Sequence, residues 1–157
     1  MSCSSSRVMT DYDAEIVFSD FKTYAFFKDV GKGLNDFDIK RVITVLNFEL
    51  ENKEFKEVGN PDFYINFSSK MSEAQNKNTI GIGIGNGGFG ISGGIPIGVK
   101  KLNEEFIIEF VNAETNEVIW EGVLNSIVKE QRKPEEKGTH FKEIIKKIFD
   151  NYPPKTK

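Results

Sequence analysis

The sequence predicts one α+β domain, a mixed fold in which a mostly antiparallel sheet carries two long helices on one face. Three observations lead there. Two segments repeat their apolar residues at helical spacing, several others alternate apolar and polar residues as half-buried strands do, and no linker or internal repeat divides the chain. At 157 residues the chain can build a core without disulfides or metal staples.

RVMTDYD (7–13) reads as a first strand with Val8, Thr10 and Tyr12 on one side, and KTYAFF (22–27) as a second, rich in aromatics. Lys28 to Gly33 is a glycine-bearing turn. Asn35 then offers an N-cap, with Asp38 three residues on in a capping-box-like arrangement. Ile39, Val42, Ile43, Leu46 and Leu50 form the apolar stripe of a helix from 36 to about 53.

After Gly59, Asn60 and Pro61, the alternation of Phe63, Ile65 and Phe67 marks a half-buried strand, and 70–79 reads as a polar loop or irregular edge. Residues 104–128 read as a hairpin. Phe106, Ile108 and Phe110 lie in its first arm, a turn follows at Glu114 to Asn116, and Trp120 lies in the second arm. A second helix begins at Pro134, with glutamates at its start and Lys146 and Lys147 near its end, as the helix dipole favours. Its stripe is Phe141, Ile144, Ile145, Ile148 and Phe149, and Pro153 and Pro154 stop it. Phe106, Phe110, Trp120, Ile144 and Ile148 are expected to meet in one core.

GIGIGNGGFGISGG (81–94) contains a formal G-x-G-x-x-G at Gly83, Gly85 and Gly88. A dinucleotide site needs a helix opening on that loop, and FGISGGIPIGV (89–99) is poor helix material. No G-x-x-x-x-G-K with Ser or Thr provides a phosphate-binding loop either. Ile80, Ile82 and Ile84 instead alternate with bare glycines ahead of an Asn86-Gly87 turn, so a glycine-rich hairpin is expected over 79–99. Asn86, Gly87, Gly88 and Phe89 at its tip are the candidate interaction surface.

Composition narrows the function classes. The chain is 29% charged with a formal net charge of -3, which disfavours nucleic acid as a partner, and no run of about 18 apolar residues spans a membrane. Cys3 is the single cysteine, so neither an internal disulfide nor a cysteine zinc cluster can form. It precedes Ser4, Ser5 and Ser6. One reading is an incidental thiol in a disordered terminus. The other is the lipid attachment site of a lipoprotein whose signal peptide has been removed. Residues 1–7 would then be the tether, 8–152 the domain and 153–157 a disordered tail.

Chemistry is sparse. His140 is the sole histidine and is expected on the solvent side of the second helix. Asp11 and Asp13, two apart on a strand, form a weak acidic-site candidate beside the simpler reading that they flank an inward-packed Tyr12. Lys129, Arg132, Lys133, Lys142, Lys146 and Lys147 make a basic C-terminal region, read as a solvated helix face. No catalytic residue, metal ligand or cofactor is assigned.

VMTDYDAEIVFSDFKTYAFF (8–27) resembles the opening of a family of bacterial lipoprotein-like domains of unknown function, the one numbered four-one-three-six. Asp11, Tyr12, Asp13, Phe18, Phe21, Lys22, Thr23, Tyr24, Ala25 and Phe26 stand in the places of its motif, and Pro61-Asp62 opens its middle strand. In FIIEFVNAETNEVIWEG, the matching positions are Asn112, Ala113, Thr115, Val118, Trp120 and Gly122. The resemblance runs from about Val8 to Tyr152. It implies an α/β domain, often at the outer membrane after lipidation at a cysteine placed like Cys3, and the periplasmic face of that membrane is the expected location. It implies no established reaction. The expectation is therefore a non-enzymatic envelope lipoprotein domain that binds or scaffolds, with a protein, lipid, glycan or second copy as candidate partner. The alternative is an enzyme with an acidic and aromatic site acting on an envelope substrate.

Overall fold

The computed structural model describes residues 6–74 and 100–155. Cys3 and the expected glycine hairpin, with Asn86, Gly87, Gly88 and Phe89, lie outside them. In chain order the elements are β1 (Arg7–Tyr12), β2 (Thr23–Phe26), α1 (Asp36–Asn52), β3 (Lys56–Glu57), β4 (Phe63–Glu73), β5 (Lys101–Asn112), β6 (Val118–Lys129) and α2 (Pro134–Phe149). A single 3-10 turn at Phe18–Asp20 follows β1.

The six strands form one sheet in the order β1-β6-β5-β4-β2-β3. The pairs β1–β6, β6–β5 and β5–β4 are antiparallel, while β2 runs parallel to both β4 and β3. The sequence expectation of a mixed, mostly antiparallel domain with two packed helices holds. Boundaries move: β4 runs on to Glu73, pairing Lys70, Met71, Ser72 and Glu73 with β5, where the polar composition suggested a loop or irregular edge, and β5 opens at Lys101 rather than Glu104. Polar residues are no obstacle there, because outer strand positions are solvated. The two-residue β3 carried no sequence signal.

One face of the sheet makes the core. Ile65 and Phe67 of β4, Phe106, Ile108 and Phe110 of β5, and Trp120 and Leu124 of β6 point the same way and are fully buried. They meet Val42, Leu46 and Leu50 of α1 and Phe141, Ile144, Ile145, Ile148 and Phe149 of α2 in one cluster. The five residues expected to meet there do so. Asn35 caps α1 as its type suggests, accepting from the Asp38 amide at 3.0 Å. Glu136 caps α2 by accepting from the Lys133 amide at 2.8 Å.

Candidate functional site

Period-2 alternation that buries one face of the sheet leaves the other uncovered. Across that open face, strand register lines up Asp11 of β1, Glu121 of β6, Glu109 of β5 and Asn66 of β4 in a lateral row. Directly opposed residues on neighbouring strands stand about 5 Å apart at Cβ, so three carboxylates are close neighbours. Glu109 accepts from Asn66 Nδ2 at 2.8 Å, and Asp11 accepts from the Tyr12 amide at 2.9 Å. No lysine or arginine among the described residues lies within ion-pair distance of any of the three. Partial burial, then the charges of Glu109, Asp11 and Glu105, push the Glu121 pKa up. The next row is Met9, Val123, Ile107 and Ser68, and Ile127 lies exposed farther along β6. The open face is thus an acidic row beside an apolar one.

A hollow of about 300 Å³ lies at one end of the β1–β6 pair, lined by Asp11, Tyr12, Asp13, Val118, Trp120 and Glu121, among others. It contains both members of the acidic candidate. Asp13 lies beyond the end of β1, where its carboxylate accepts from the Glu15 amide at 2.9 Å and closes a turn. Tyr12 is 38% exposed, against the expectation that it packs inward. It sits on the edge strand and reaches only the rim of the core, edge-on to Phe18. Among the described residues no group of three or more His, Cys, Asp or Glu is placed to hold a metal ion.

A second polar group lies on the opposite, helix-covered face. Glu104 is fully buried, and accepts from Ser69 Oγ at 3.0 Å and pairs with His140 Nε2. Burial raises the Glu104 pKa, but the His140 hydrogen bond and charge, the Ser69 hydroxyl and the Arg132 charge outweigh it and hold the carboxyl below its ordinary range. Arg132 Nε and Nη1 and Ser126 Oγ are buried nearby without partners among the described residues. This corrects the solvent-side placement of His140. One turn of α2 carries both Phe141, in the core, and His140, whose ring turns under the helix to Glu104 with 15% of its side chain exposed. Lone polar residues give no spacing pattern, so only the phase of Glu104 among the inward residues of β5 signalled it.

The shared motif residues are mostly joints of the fold. Asp62 accepts from the Lys22 and Thr23 amides at 2.8 Å each, locking β2 beside β4, and these bonds hold its pKa down. Tyr24 donates to Asn47 of α1 at 2.9 Å. Asn112 accepts from the Glu114 and Thr115 amides and shapes the β5–β6 turn. Gly122 leaves room for Ile148 and the Trp120 ring.

The model of the domain of unknown function DUF4136 matches residues 8–154. The chain belongs to this family. No curated protein matches it. Among solved structures, a PDZ domain protein from Parabacteroides distasonis resembles this DUF4136 domain with a TM-score of 0.63 and 14% identity. That match covers 98% of this chain but 38% of the other, so the domain spans well under half of that protein. The PelC dodecamer from Paraburkholderia phytofirmans matches at 0.51 and 7% identity over 92% of this chain and 94% of that one. A variant of the same dodecamer matches at 0.50 and 8% identity, with the same coverage. At such identities the likeness is one of fold.

Proposed function

We propose that this DUF4136 domain is a non-enzymatic binding or scaffolding module of the bacterial cell envelope, held by lipid at Cys3 to the periplasmic face of the outer membrane. The observation that carries the binding role is the open sheet face. It keeps three carboxylates in cross-strand register at a cost to stability, beside exposed Met9 and Ile127, which suits a surface that is covered in use. The likeness to a chain that assembles as a dodecamer supports a scaffolding role. Ser4, Ser5 and Ser6 after Cys3 suit a flexible tether, and among the described residues no helix is long and apolar enough to cross a membrane. More than one acyl chain is needed for stable attachment, as an amino-terminal cysteine bearing a diacylglycerol and an amide-linked chain would provide.

The hollow at Asp11, Asp13 and Glu121 favours the enzyme reading, since carboxylates and aromatic rings meet there. Against it, Asp11 and Asp13 are engaged by local backbone amides. Mass spectrometry of the protein expressed from its complete gene tests the anchor. Acylated Cys3 in the membrane fraction is expected, and an unmodified thiol in membrane-free fractions overturns it.

A further inference from the structure

We propose that β1 pairs with β1 of a second copy, antiparallel about a two-fold axis at Met9, so that two sheets become one. This deepens the scaffolding reading by naming the partner and the contact. β1 stands at the end of the strand order and pairs with β6 alone among the described strands. All its residues but Val8 are exposed. The Asp13 amide donates to the Ile119 carbonyl at 3.0 Å, so by alternation the amides of Met9 and Asp11 also face β6. Those of Val8, Thr10 and Tyr12 face the free edge. The Tyr12 amide is taken by Asp11 Oδ1 at 2.9 Å. Val8 and Thr10 offer theirs to a new strand.

RVMTD (7–11) is complementary to itself when run antiparallel. With Met9 on the axis, Arg7 stands opposite the partner's Asp11, and Met9 opposite the partner's Met9. Val8 and the partner's Thr10 exchange amide and carbonyl through their outward groups. A shift of two residues either way sets Met9 against a charge, Arg7 or Asp11. Neither Arg7 nor Asp11 has an ion pair among the described residues, and opposed opposite charges stabilise a strand pair. The axis is perpendicular to the sheet, so both open faces look the same way, with both helix layers behind. The apolar row then runs unbroken from Ile107, Val123 and Met9 into the partner's Met9, Val123 and Ile107. The acidic row, Glu109, Glu121 and Asp11, ends on the partner's Arg7. Beyond that cation lie the partner's Asn125, then the partner's Glu105 beside the partner's Lys70. One patch meets itself, so the contact closes as a dimer.

Cross-linking tests the register in the full chain carrying Cys3→Ser, which removes the single native thiol. Opposed Cα atoms of a non-hydrogen-bonded pair lie about 4.5 Å apart, within disulfide reach. Met9→Cys should therefore oxidise to a covalent dimer. Arg7→Cys and Asp11→Cys should each stay single and link only when mixed. Sedimentation velocity at high concentration under reducing conditions tests the pairing itself, with circular dichroism as the folding control. Wild type is expected as two chains, and Asp11→Arg and Thr10→Pro as one. Proline there removes an outward amide and no bond to β6. Exchanging the charges in one chain, Arg7→Asp with Asp11→Arg, should restore two. A monomeric wild type overturns the proposal, as does a dimer that Thr10→Pro leaves intact. So does an Arg7→Cys chain that links to itself as readily as to Asp11→Cys. A monomer that still carries lipid at Cys3 and sits in the membrane would sink the β1 pairing alone, leaving the anchored-module reading intact.

Discussion

Glu104 and His140, 36 positions apart in sequence, form a carboxylate–imidazole pair that joins β5 to α2 beneath the helix layer. The carboxylate has no solvent exposure, so the pair and Ser69 are what allow a charge at that depth.

Its pH dependence has a definite sign. The folded pKa of Glu104 lies below its ordinary value of 4.5. The stabilisation is present above that value and lost as pH falls through the folded one. Denaturant midpoints should therefore drop in acid, and Glu104→Gln should flatten that drop. Glu104→Ala should cost about 3–5 kcal/mol near neutrality, the usual result of breaking a buried pair. An acid slope identical in wild type and Glu104→Gln would show that the pair does not generate it.

Glu121 has the opposite sign. Its pKa is raised in the fold, so the stability linked to it is fully present below the ordinary glutamate value and lost as pH rises through the folded one. Near neutrality its charge opposes folding. Glu121→Gln should raise stability by about 0.2–1 kcal/mol, toward the lower end because solvent screens the row. Adding salt should shrink the gain. A neutral or destabilising Gln variant would mean the three carboxylates do not repel one another appreciably.

Ile144 tests the helix phase. It is 3% exposed in the cluster that includes Phe106, Phe110, Trp120 and Ile148. Ile144→Ala should cost about 2–5 kcal/mol by denaturant unfolding. A loss under about 0.5 kcal/mol would be a surface-like result and incompatible with this packing.

The core was legible in the sequence because periodicity reports which side of an element meets apolar neighbours. Phe106 and Ile144 carry that signal. Asn35 was legible because a cap is decided locally, by one side chain and an amide three residues on. The acidic row was not legible, although Asp11 was singled out. Its partners Glu121 and Glu109 come from other strands, and only the register places them side by side. His140 misled because a polar residue on an amphipathic helix is usually solvated, and Glu104, its reason for turning inward, is 36 positions away.

The glycine-rich stretch 81–94 yields a binding prediction from sequence alone. FGISGGIPIGV (89–99) is poor material for a helix opening on the loop, whose amino terminus would hold a pyrophosphate, and no lysine follows in phosphate-loop spacing. Calorimetric titration with ATP or NAD should be flat. Micromolar binding abolished by Gly85→Val would overturn this assignment.

Gly122 of β6 sits against Ile148 of α2. A Cβ built there would meet Ile148 Cγ2 and would stand 2.7 Å from the Trp120 ring. Both neighbours are fully buried and hemmed in: Trp120 by Phe110, Phe149 and Tyr152, and Ile148 by the same cluster. Neither can swing aside as a flexible surface chain would. Gly122→Ala should therefore cost about 1–3 kcal/mol through overpacking, despite the entropy an alanine removes from the unfolded chain. Gly59 supplies the contrast, because a Cβ there meets nothing within 4 Å. Gly59→Ala should change stability by less than about 0.5 kcal/mol in either direction. Relief of the clash is the decisive measurement. Ile148→Ala removes the Cγ2 that a Cβ at Gly122 would meet and by itself should cost about 2–5 kcal/mol. Combined with Gly122→Ala it should cost less than the sum of the two single changes, since each then fits the other. Strict additivity would place the cost of Gly122→Ala in the backbone rather than in the contact with Ile148.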